Sequence, residues 1–214
     1  MSHKIRIEKN PVSGISQVDF DNIPFGRVFS DHMFIMDYSN GAWKDHRIVP
    51  FQNLNLHPST SAIHYGQSIF EGLKAYKDSD GNVQIFRPEK NIQRLNNSAR
   101  RMAMPEVDEG VFMEALKELL TLDQAWIPTS EGASLYIRPY MFATDEYVGI
   151  KASDNYKFII FTCPVQAYYS QPVKVKVAEK FVRAFPGGTG RAKAAGNYAG
   201  TLQPVNLADR KSVV

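Results

Sequence analysis

Residues 157–163, Lys-Phe-Ile-Ile-Phe-Thr-Cys, contain a nearly unbroken apolar run, which constrains the possible folds more than any other segment. Such a run, without the alternation of a half-exposed strand, is typical of a strand that is buried on both faces. Residues 134–142 predict a second long strand. Residues 32–37 predict a third, which ends before the turn dipeptide Asn40 and Gly41. We therefore expect the strand over residues 157–163 to be buried on both faces.

Two helices and a hairpin are predicted between these strands. Residues 73–77 and 83–86 are short apolar runs that flank a polar loop containing glycine, which is typical of a hairpin. Pro88 begins a helix whose apolar residues recur at steps of three and four, and Pro105 ends it. A second helix is expected over about residues 106–122. Strands and helices together predict the α/β (α+β) class.

The domain organisation follows from a change in composition near residue 165. We expect a first unit over residues 1–165, a linker over residues 166–172 that is rich in Gln, Ser and Tyr, and the start of a second unit over residues 173–214. Residues 173–177 alternate strictly between valine and lysine, as in a half-exposed strand. Residues 59–70 are compatible with a further helix.

Composition excludes several classes of function. The net charge of +3 is too small for the clustered basic surface of a nucleic-acid-binding protein. Cys163 is the single cysteine, so we expect no intramolecular disulfide and no cysteine-based metal site, as suits a reducing cytoplasm. No run approaches the roughly 18 apolar residues of a membrane helix, and residues 1–6 do not resemble a secretion signal. We expect a cytoplasmic protein without a membrane or nucleic-acid partner.

Residues 187–200 are the most unusual segment, because five glycines surround a single lysine, Lys193. A phosphate-binding P-loop requires Gly-Lys followed by Ser or Thr, whereas Lys193 lies between Ala192 and Ala194. The dinucleotide-binding fingerprint also fails, because Lys193 occupies the position of its third glycine. Both common phosphate loops are therefore excluded.

A lysine among small residues indicates a different chemistry. Small neighbours allow a planar ligand to approach the amine, and a neutral amine can form a Schiff base with an aldehyde. The amine of an ordinary lysine has a pKa of about 10.4, so burial or a nearby positive charge would have to favour its neutral form. From the spacing alone, a solvated lysine in a surface loop is the alternative.

Five separated segments resemble those of branched-chain aminotransferases, which are pyridoxal-phosphate enzymes of fold type IV. The order and spacing of these segments agree from about residue 25 to residue 200. The segments are residues 65–75 (Tyr-Gly-Gln-Ser-Ile-Phe-Glu-Gly-Leu-Lys-Ala), 86–94 (Phe-Arg-Pro, then Asn91 and Arg94), 136–139 (Tyr-Ile-Arg-Pro), 163–168 (Cys-Pro-Val, then Tyr168) and 187–200 around Lys193. The resemblance implies a small N-terminal α/β domain followed by the start of a larger cofactor-binding domain.

The resemblance also implies roles for individual residues. Lys193 would hold pyridoxal 5'-phosphate and transfer the proton between the substrate α-carbon and the cofactor. Arg94 would bind the cofactor phosphate, for which a guanidinium is better suited than an ammonium. Tyr198 would form a hydrogen bond to the phenolic oxygen of the cofactor.

The implied substrates are the branched-chain amino acids Leu, Ile and Val, with 2-oxoglutarate or glutamate as the second substrate. Arg138 would bind the distal carboxylate of glutamate. Tyr65 would reach the pocket of a neighbouring subunit, because the family forms homodimers. The aromatic walls of the pocket would be Phe25, Tyr65, Phe70, Tyr136 and Tyr168.

The family continues well beyond the position of residue 214, and the acid that pairs with the cofactor's pyridine nitrogen belongs to that later part. Asp209 is the acid that follows Lys193 in this sequence. We therefore expect the 214-residue chain to lack turnover by itself. A remnant that folds or dimerises without catalysis is one alternative. Another enzyme of the same fold, such as D-amino-acid aminotransferase or aminodeoxychorismate lyase, is a second alternative.

Overall fold

The structure, a computed structural model, describes residues 4–167, 172, 174–175, 177–208 and 212–213. The strands are β1 (Arg6–Ile7), β2 (His32–Ser39), β3 (Ala42–Pro50), β4 (Ser68–Phe70), β5 (Leu73–Lys77), β6 (Val83–Ile85), β7 (Ser134–Ala143), β8 (Tyr156–Val165), β9 (Lys174–Val175) and β10 (Ser212–Val213). The helices are α1 (Ser61–Tyr65), α2 (Pro88–Arg101), α3 (Glu109–Leu122), α4 (Gly196–Ala199) and α5 (Leu202–Leu207), with 3₁₀ turns at Ile15–Gln17 and Gln124–Trp126.

Eight strands form one mixed sheet in which β8 occupies a central position. The order is β1-β3-β2-β8-β7-β5-β6, and β1 runs parallel to β3 whereas the other pairs are antiparallel. Strands β4 and β5 pair with successive parts of β7, so that Phe70 lies opposite Tyr140 and Leu73 lies opposite Ile137. The chain between β4 and β5, Glu71 and Gly72, therefore leaves the ladder at this point.

Successive side chains of each strand point to opposite faces of the sheet, so neighbouring residues belong to different faces. On β8, Phe158 and Ile160 belong to the larger core cluster, whereas Ile159 belongs to a smaller cluster on the opposite face. Helices α2 and α3 cover the first face and contribute nine residues to the larger cluster. Their contributing residues are Ile92, Leu95, Ala99, Val111, Phe112, Ala115, Leu116, Leu119 and Leu120. The prediction that β8 is buried on both faces is confirmed.

Most predicted elements are present, with changes at their ends. The hairpin is formed by β5 and β6, and the first helix is α2. The second helix begins at Glu109 rather than near residue 106, because the side chain of Asp108 accepts a hydrogen bond from the backbone N–H of Val111 and caps it.

Two expectations outside these elements need correction. Strand β3 was not predicted, because its polar residues mask the strand pattern over much of its length. The helix expected over residues 59–70 is wrong beyond Tyr65. Gly66 adopts a left-handed backbone conformation (φ +66°) that ends the helix, and Ser68–Phe70 form β4.

The second unit contains little regular structure in its described residues. The strand expected over residues 173–177 is present as Lys174–Val175, and Val177 lies outside this strand. Lys174–Val175 pairs in parallel with Ser212–Val213. Residues 173 and 176 lie outside the described residues, as does Asp209. The boundaries at residues 165 and 172 stay predictions.

The part of the chain that the structure describes contains neither a membrane-spanning helix nor a cluster of metal-binding side chains. No helix there has the length and apolarity needed to cross a bilayer. No group of three or more His, Cys, Asp or Glu side chains there is arranged to hold a metal ion. The thiol of Cys163 is buried, and this burial raises its pKa to about 11, so the thiol is un-ionised near neutral pH.

Candidate active site

A cavity of about 500 Å³ lies on the face of the sheet opposite α2 and α3. Strand β7 directs Arg138 and Tyr140 to this face, because Ile137 and Met141 alternate with them and belong to the larger core. The volume is within the range of small-molecule sites. The cavity is lined by Ser68, Phe70, Arg138, Tyr140, Phe161, Ala195 and Tyr198.

The main chain around Lys193 is held against strand β4. The N–H of Phe70 donates to the carbonyl oxygen of Lys193 (3.1 Å), and the N–H of Ala195 donates to the carbonyl oxygen of Ser68 (2.9 Å). On the other side, the N–H of Lys193 donates to Ser98 Oγ on α2 (2.9 Å). Ala192 and Ala194 are both buried in the larger core. Small residues flank Lys193 because larger side chains would not fit between the loop and this core.

The side chain of Lys193 points toward the aromatic wall of the cavity. Its Nζ donates a hydrogen bond to Tyr198 Oη (2.8 Å) and lies 4.6 Å from the ring centroid of Phe70. The rings of Phe70 and Tyr198 are in contact, with centroids 4.9 Å apart. An amine is thus fixed beside a phenolic hydroxyl and two ring faces, at the edge of a cavity.

Arg138 is a cation without a carboxylate partner among the described residues. Its Nη2 donates to Tyr136 Oη (3.0 Å), and its guanidinium carbon lies 4.6 Å from the centroid of the Phe70 ring. The buried Nε of Arg138 has no hydrogen-bond partner among those residues. The cavity therefore offers positive charge and an unused donor to an anion.

Tyr140 provides a neutral hydroxyl to the same cavity. Burial raises the pKa of Tyr140 to about 12, so its hydroxyl stays protonated near neutral pH. Among the residues that line this cavity, the positive charge that an anion meets is therefore that of Arg138.

Arg94 lies on α2 and is already engaged by Glu71. Its Nε and Nη2 donate to the two carboxylate oxygens of Glu71 at 2.6 and 2.7 Å, and Asn91 Nδ2 donates to the same carboxylate (3.0 Å). The hydrogen bonds with Glu71 raise the pKa of Arg94, and nearby Tyr198 adds to the effect. The resemblance to the family implies that this guanidinium binds a phosphate, whereas one edge of it holds Glu71. Nη1 and the outer N–H of Nη2 are left for another anion.

Phe25, Tyr65 and Tyr168 differ in how they relate to the cavity. The ring of Phe25 is about half exposed and meets Tyr136 edge-on, with centroids 6.1 Å apart. Tyr65 lies at the end of α1, where its ring is near that of His64, and it does not line the cavity. Tyr168 lies outside the described residues.

Sequence reasoning did not single out two residues that the structure brings to this site, Glu71 and Ser98. The sequence position of each residue contains an indication of its role. Glu71 is an acid directly after the apolar strand residues Ile69 and Phe70, and it is fully buried. Ser98 is a hydroxyl residue on the apolar face of α2, between Leu95 and Ala99.

The sequence of the site region matches a family model. Residues 68–211, which are more than half of the chain, match the model described as Amino-transferase class IV. This chain belongs to the class IV aminotransferases. The match contains the cavity-lining residues of β4 and β7 as well as Lys193 and Tyr198.

Two relatives of this class IV aminotransferase chain are branched-chain enzymes by name. The chain is 50% identical over 197 residues to branched-chain-amino-acid aminotransferase 2 of Bacillus subtilis, covering 90% of this chain and 54% of that protein. The crystal structure of the Escherichia coli branched-chain amino acid aminotransferase is similar in fold, with a TM-score of 0.65 and 28% identity over 84% of this chain and 56% of that chain. The chain spans about half the length of the curated relatives it matches.

A third relative is a solved structure that contains the cofactor. An aminotransferase from Brucella abortus, bound to the co-factor PLP, has a TM-score of 0.53 to this chain and 20% identity, over 81% of this chain and 59% of that chain. At this level of identity the similarity shows that the two chains share a fold.

Proposed function

We propose that this chain carries the cofactor lysine and one wall of the substrate site of a branched-chain-amino-acid aminotransferase. The reaction transfers the amino group of leucine, isoleucine or valine to 2-oxoglutarate. The observation that carries the proposal is the convergence of Lys193 Nζ, Tyr198 Oη and the unneutralised Arg138 on one aromatic-walled cavity. The names of the relatives support the choice of substrates.

The residues fit pyridoxal 5'-phosphate, on which class IV aminotransferases depend. When bound, this cofactor supplies an electron sink for the negative charge that develops on the substrate α-carbon. Lys193 is the amine that would hold its aldehyde carbon, and Tyr198 would be a hydrogen-bond partner for its phenolic oxygen. The free Nη1 end of Arg94 would bind its phosphate, while Glu71 fixes the opposite edge of the guanidinium.

Lys193 also serves as the base that takes the α-proton of the amino acid. Its Nζ must be unprotonated for this step, and a base must lie within hydrogen-bond reach of the proton. The hydrogen bond to Tyr198 Oη and the ring of Phe70 restrict where Nζ can lie. The aromatic ring also excludes water from one side of the amine, which supports a proton transfer directed at the substrate.

The cavity suits both types of substrate. Phe70 lines the cavity, and Tyr136 and Phe25 would extend its apolar wall beside Arg138. Burying a leucine or valine side chain there would gain about 1.5–3 kcal/mol. Arg138 offers the positive charge for the distal carboxylate of glutamate or 2-oxoglutarate. One pocket thereby accepts an apolar side chain and a carboxylate side chain in turn.

We further propose a cytoplasmic homodimer built from the domains expected above. Tyr65 would line the cavity of the second copy, which is supported by the exposure of its ring and of Ile63 on the same helix, 42% and 63% respectively. Tyr168 would complete the aromatic walls from the linker.

The experiment that tests this function combines covalent trapping with substrate conversion. The chain is incubated with pyridoxal phosphate, reduced with borohydride and mapped by mass spectrometry. We expect the pyridoxyl adduct on Lys193, its loss in Lys193→Ala, and no change in Lys117→Ala, a control at an exposed position on α3. Adducts scattered over other lysines would contradict the assignment.

The same protein, loaded with cofactor, then distinguishes the substrate classes. Any conversion of the cofactor to pyridoxamine phosphate should occur with L-leucine and not with D-alanine. Conversion by D-alanine alone would favour a D-amino-acid aminotransferase. An adduct on Lys193 without any conversion would favour a chain that binds the cofactor but does not turn over.

A further inference from the structure

The hydroxyl of Ser98 connects two residues to which the proposed function assigns cofactor binding. Ser98 is buried on α2, with an exposed fraction of 1%. Its Oγ accepts a hydrogen bond from the N–H of Lys193 (2.9 Å) and donates one to the carbonyl oxygen of Arg94 (3.0 Å). One buried oxygen therefore contacts the main chain of both residues.

We infer that Ser98 is a positioning residue that sets the distance between the cofactor lysine and the phosphate-binding arginine. This inference rests on the proposed function for its ligand, although the hydrogen bonds themselves do not depend on it. Ser98 is not among the residues that line the cavity, so its effect would be exerted through Lys193 and Arg94.

Helix α2 is a suitable reference for this distance because it is itself held rigidly. Ile92, Leu95 and Ala99 are completely buried against the sheet. The side chain of Arg94 is oriented by Glu71, which is anchored in the turn between β4 and β5. Arg94 is thus fixed through both its side chain and its helix.

The loop that carries Lys193, in contrast, depends on contacts with other elements. Residues 191–193 lie in turn and irregular structure, so no regular ladder fixes the N–H of Lys193. Arg101, one turn beyond Ser98, donates to the carbonyl oxygens of Gly187 (2.8 Å) and Gly188 (3.0 Å). Helix α2 therefore holds the loop at two points, of which Ser98 is the one at the lysine. A displacement of about 1 Å in a reacting group can reduce a rate by about 10²-fold, so such an anchor matters for chemistry.

The first test measures the anchor without any cofactor. Amide hydrogen exchange at Lys193 should accelerate at least tenfold in Ser98→Ala, because the N–H loses its acceptor. Ser98→Thr keeps the hydroxyl and should retain slow exchange, while Ser98→Cys, a weaker partner, should give an intermediate rate. Exchange at Ile160 in the central strand reports global unfolding and is used to correct for it. Unchanged exchange at Lys193 in Ser98→Ala would overturn the inference.

Ser134→Ala is the matched control for this test. Ser134 is also completely buried, and its Oγ has no hydrogen-bond partner among the residues the structure describes. The substitution removes the same hydroxyl from a strand position, and exchange at Lys193 should stay as in the unmodified chain. Equal acceleration in both variants would show that the effect is general softening, which would also overturn the inference.

The second test compares pyridoxal phosphate with pyridoxal, which lacks the phosphate. If Ser98 sets the distance between Lys193 and Arg94, Ser98→Ala should weaken attachment of pyridoxal phosphate to Lys193 about tenfold more than attachment of pyridoxal. Equal weakening of both, or none, would overturn the coupling. Absence of any adduct on Lys193 in the unmodified chain would instead refute the proposed function and the coupling to phosphate, while the exchange measurement would still decide whether Ser98 anchors the loop.

Discussion

Glu71 and Arg94 form a bidentate ion pair in which the carboxylate is fully buried and the guanidinium side chain is 57% exposed. The two partners are therefore unequal. Loss of the arginine would leave a buried negative charge, whereas loss of the glutamate charge would leave a guanidinium that water can solvate. The pair also explains how an arginine can be rigid while one of its ends still faces outward.

The first prediction concerns this asymmetry. Arg94→Met should lower the free energy of unfolding by about 3 kcal/mol, because a buried carboxylate loses its partner. Glu71→Gln should cost only about 1–2 kcal/mol, because hydrogen bonds from Asn91 and Arg94 to the amide oxygen can remain. Urea unfolding at pH 7 measures both values. A larger cost for Glu71→Gln than for Arg94→Met would contradict the argument.

The second prediction concerns ligand choice by Arg138. Arg138→Ala should weaken binding of glutarate, a dicarboxylate, by about 2–5 kcal/mol, because a charge-assisted contact in a partly buried site is lost. Binding of 4-methylvalerate, which has one carboxylate and an apolar end, should change much less. Isothermal titration with the cofactor-loaded protein compares the two ligands. An equal loss for both would indicate that Arg138 binds the carboxylate that the two ligands share.

The third prediction concerns Gly72, which allows Tyr136 to occupy its position. A Cβ atom at Gly72 would lie 2.2 Å from Tyr136 Oη, so Gly72→Ala should displace the phenol and break its hydrogen bond with Arg138. We expect weaker glutarate binding with a largely unchanged fold, as measured by the same titration.

The control for that substitution is Gly14→Ala. A Cβ atom there would make only ordinary contacts, the nearest being Asp31 Oδ1 at 3.6 Å. This variant should bind glutarate as the unmodified chain does. If Gly72→Ala also binds it normally, the position of Tyr136 is not important for the ligand.

The fourth prediction concerns the pH dependence of stability. Burial by itself would raise the pKa of Asp145, but hydrogen bonds from the N–H of Asp154 and the side chain of Asn155 outweigh it and hold the pKa well below its usual value. Asp145 therefore stabilises the fold above the unfolded-state pKa of about 3.9, and this contribution is lost as the pH falls below that value. Asp145→Asn should lower stability by about 1–3 kcal/mol at pH 7.

The difference between Asp145→Asn and the unmodified chain should shrink as unfolding is repeated at lower pH, from about pH 4 downward. Asp154→Asn is the matched control, because the Asp154 side chain is 80% exposed and pairs with Lys151 at the surface. Surface ion pairs contribute about 0–1 kcal/mol, so this variant should differ little at any pH. A pH-independent cost for Asp145→Asn would mean that its charge does not contribute to stability.

Local patterns predict an element well when its own residues provide its stabilising contacts. The recurrence of apolar residues at steps of three and four was sufficient to predict α2 and α3, because each helix buries one continuous face. The same reasoning failed for β3, since its charged residues pair across the sheet with partners that the sequence pattern does not reveal. Arg47 and Asp37, on neighbouring strands, form one such ion pair.

The main strands and helices, the lysine segment and the resemblance to an aminotransferase could be recognised from the residue pattern, because they depend on the order of residues along the chain. Which groups meet depends on how the elements pack. Glu71 and Arg94 are separated by 23 residues, and Ser98 and Lys193 by 95 residues. Hydrogen bonds act over about 3 Å, and no periodicity of the sequence specifies such distances between remote residues. Only the packing of α2 against β4 and the lysine loop brings these donors to their acceptors.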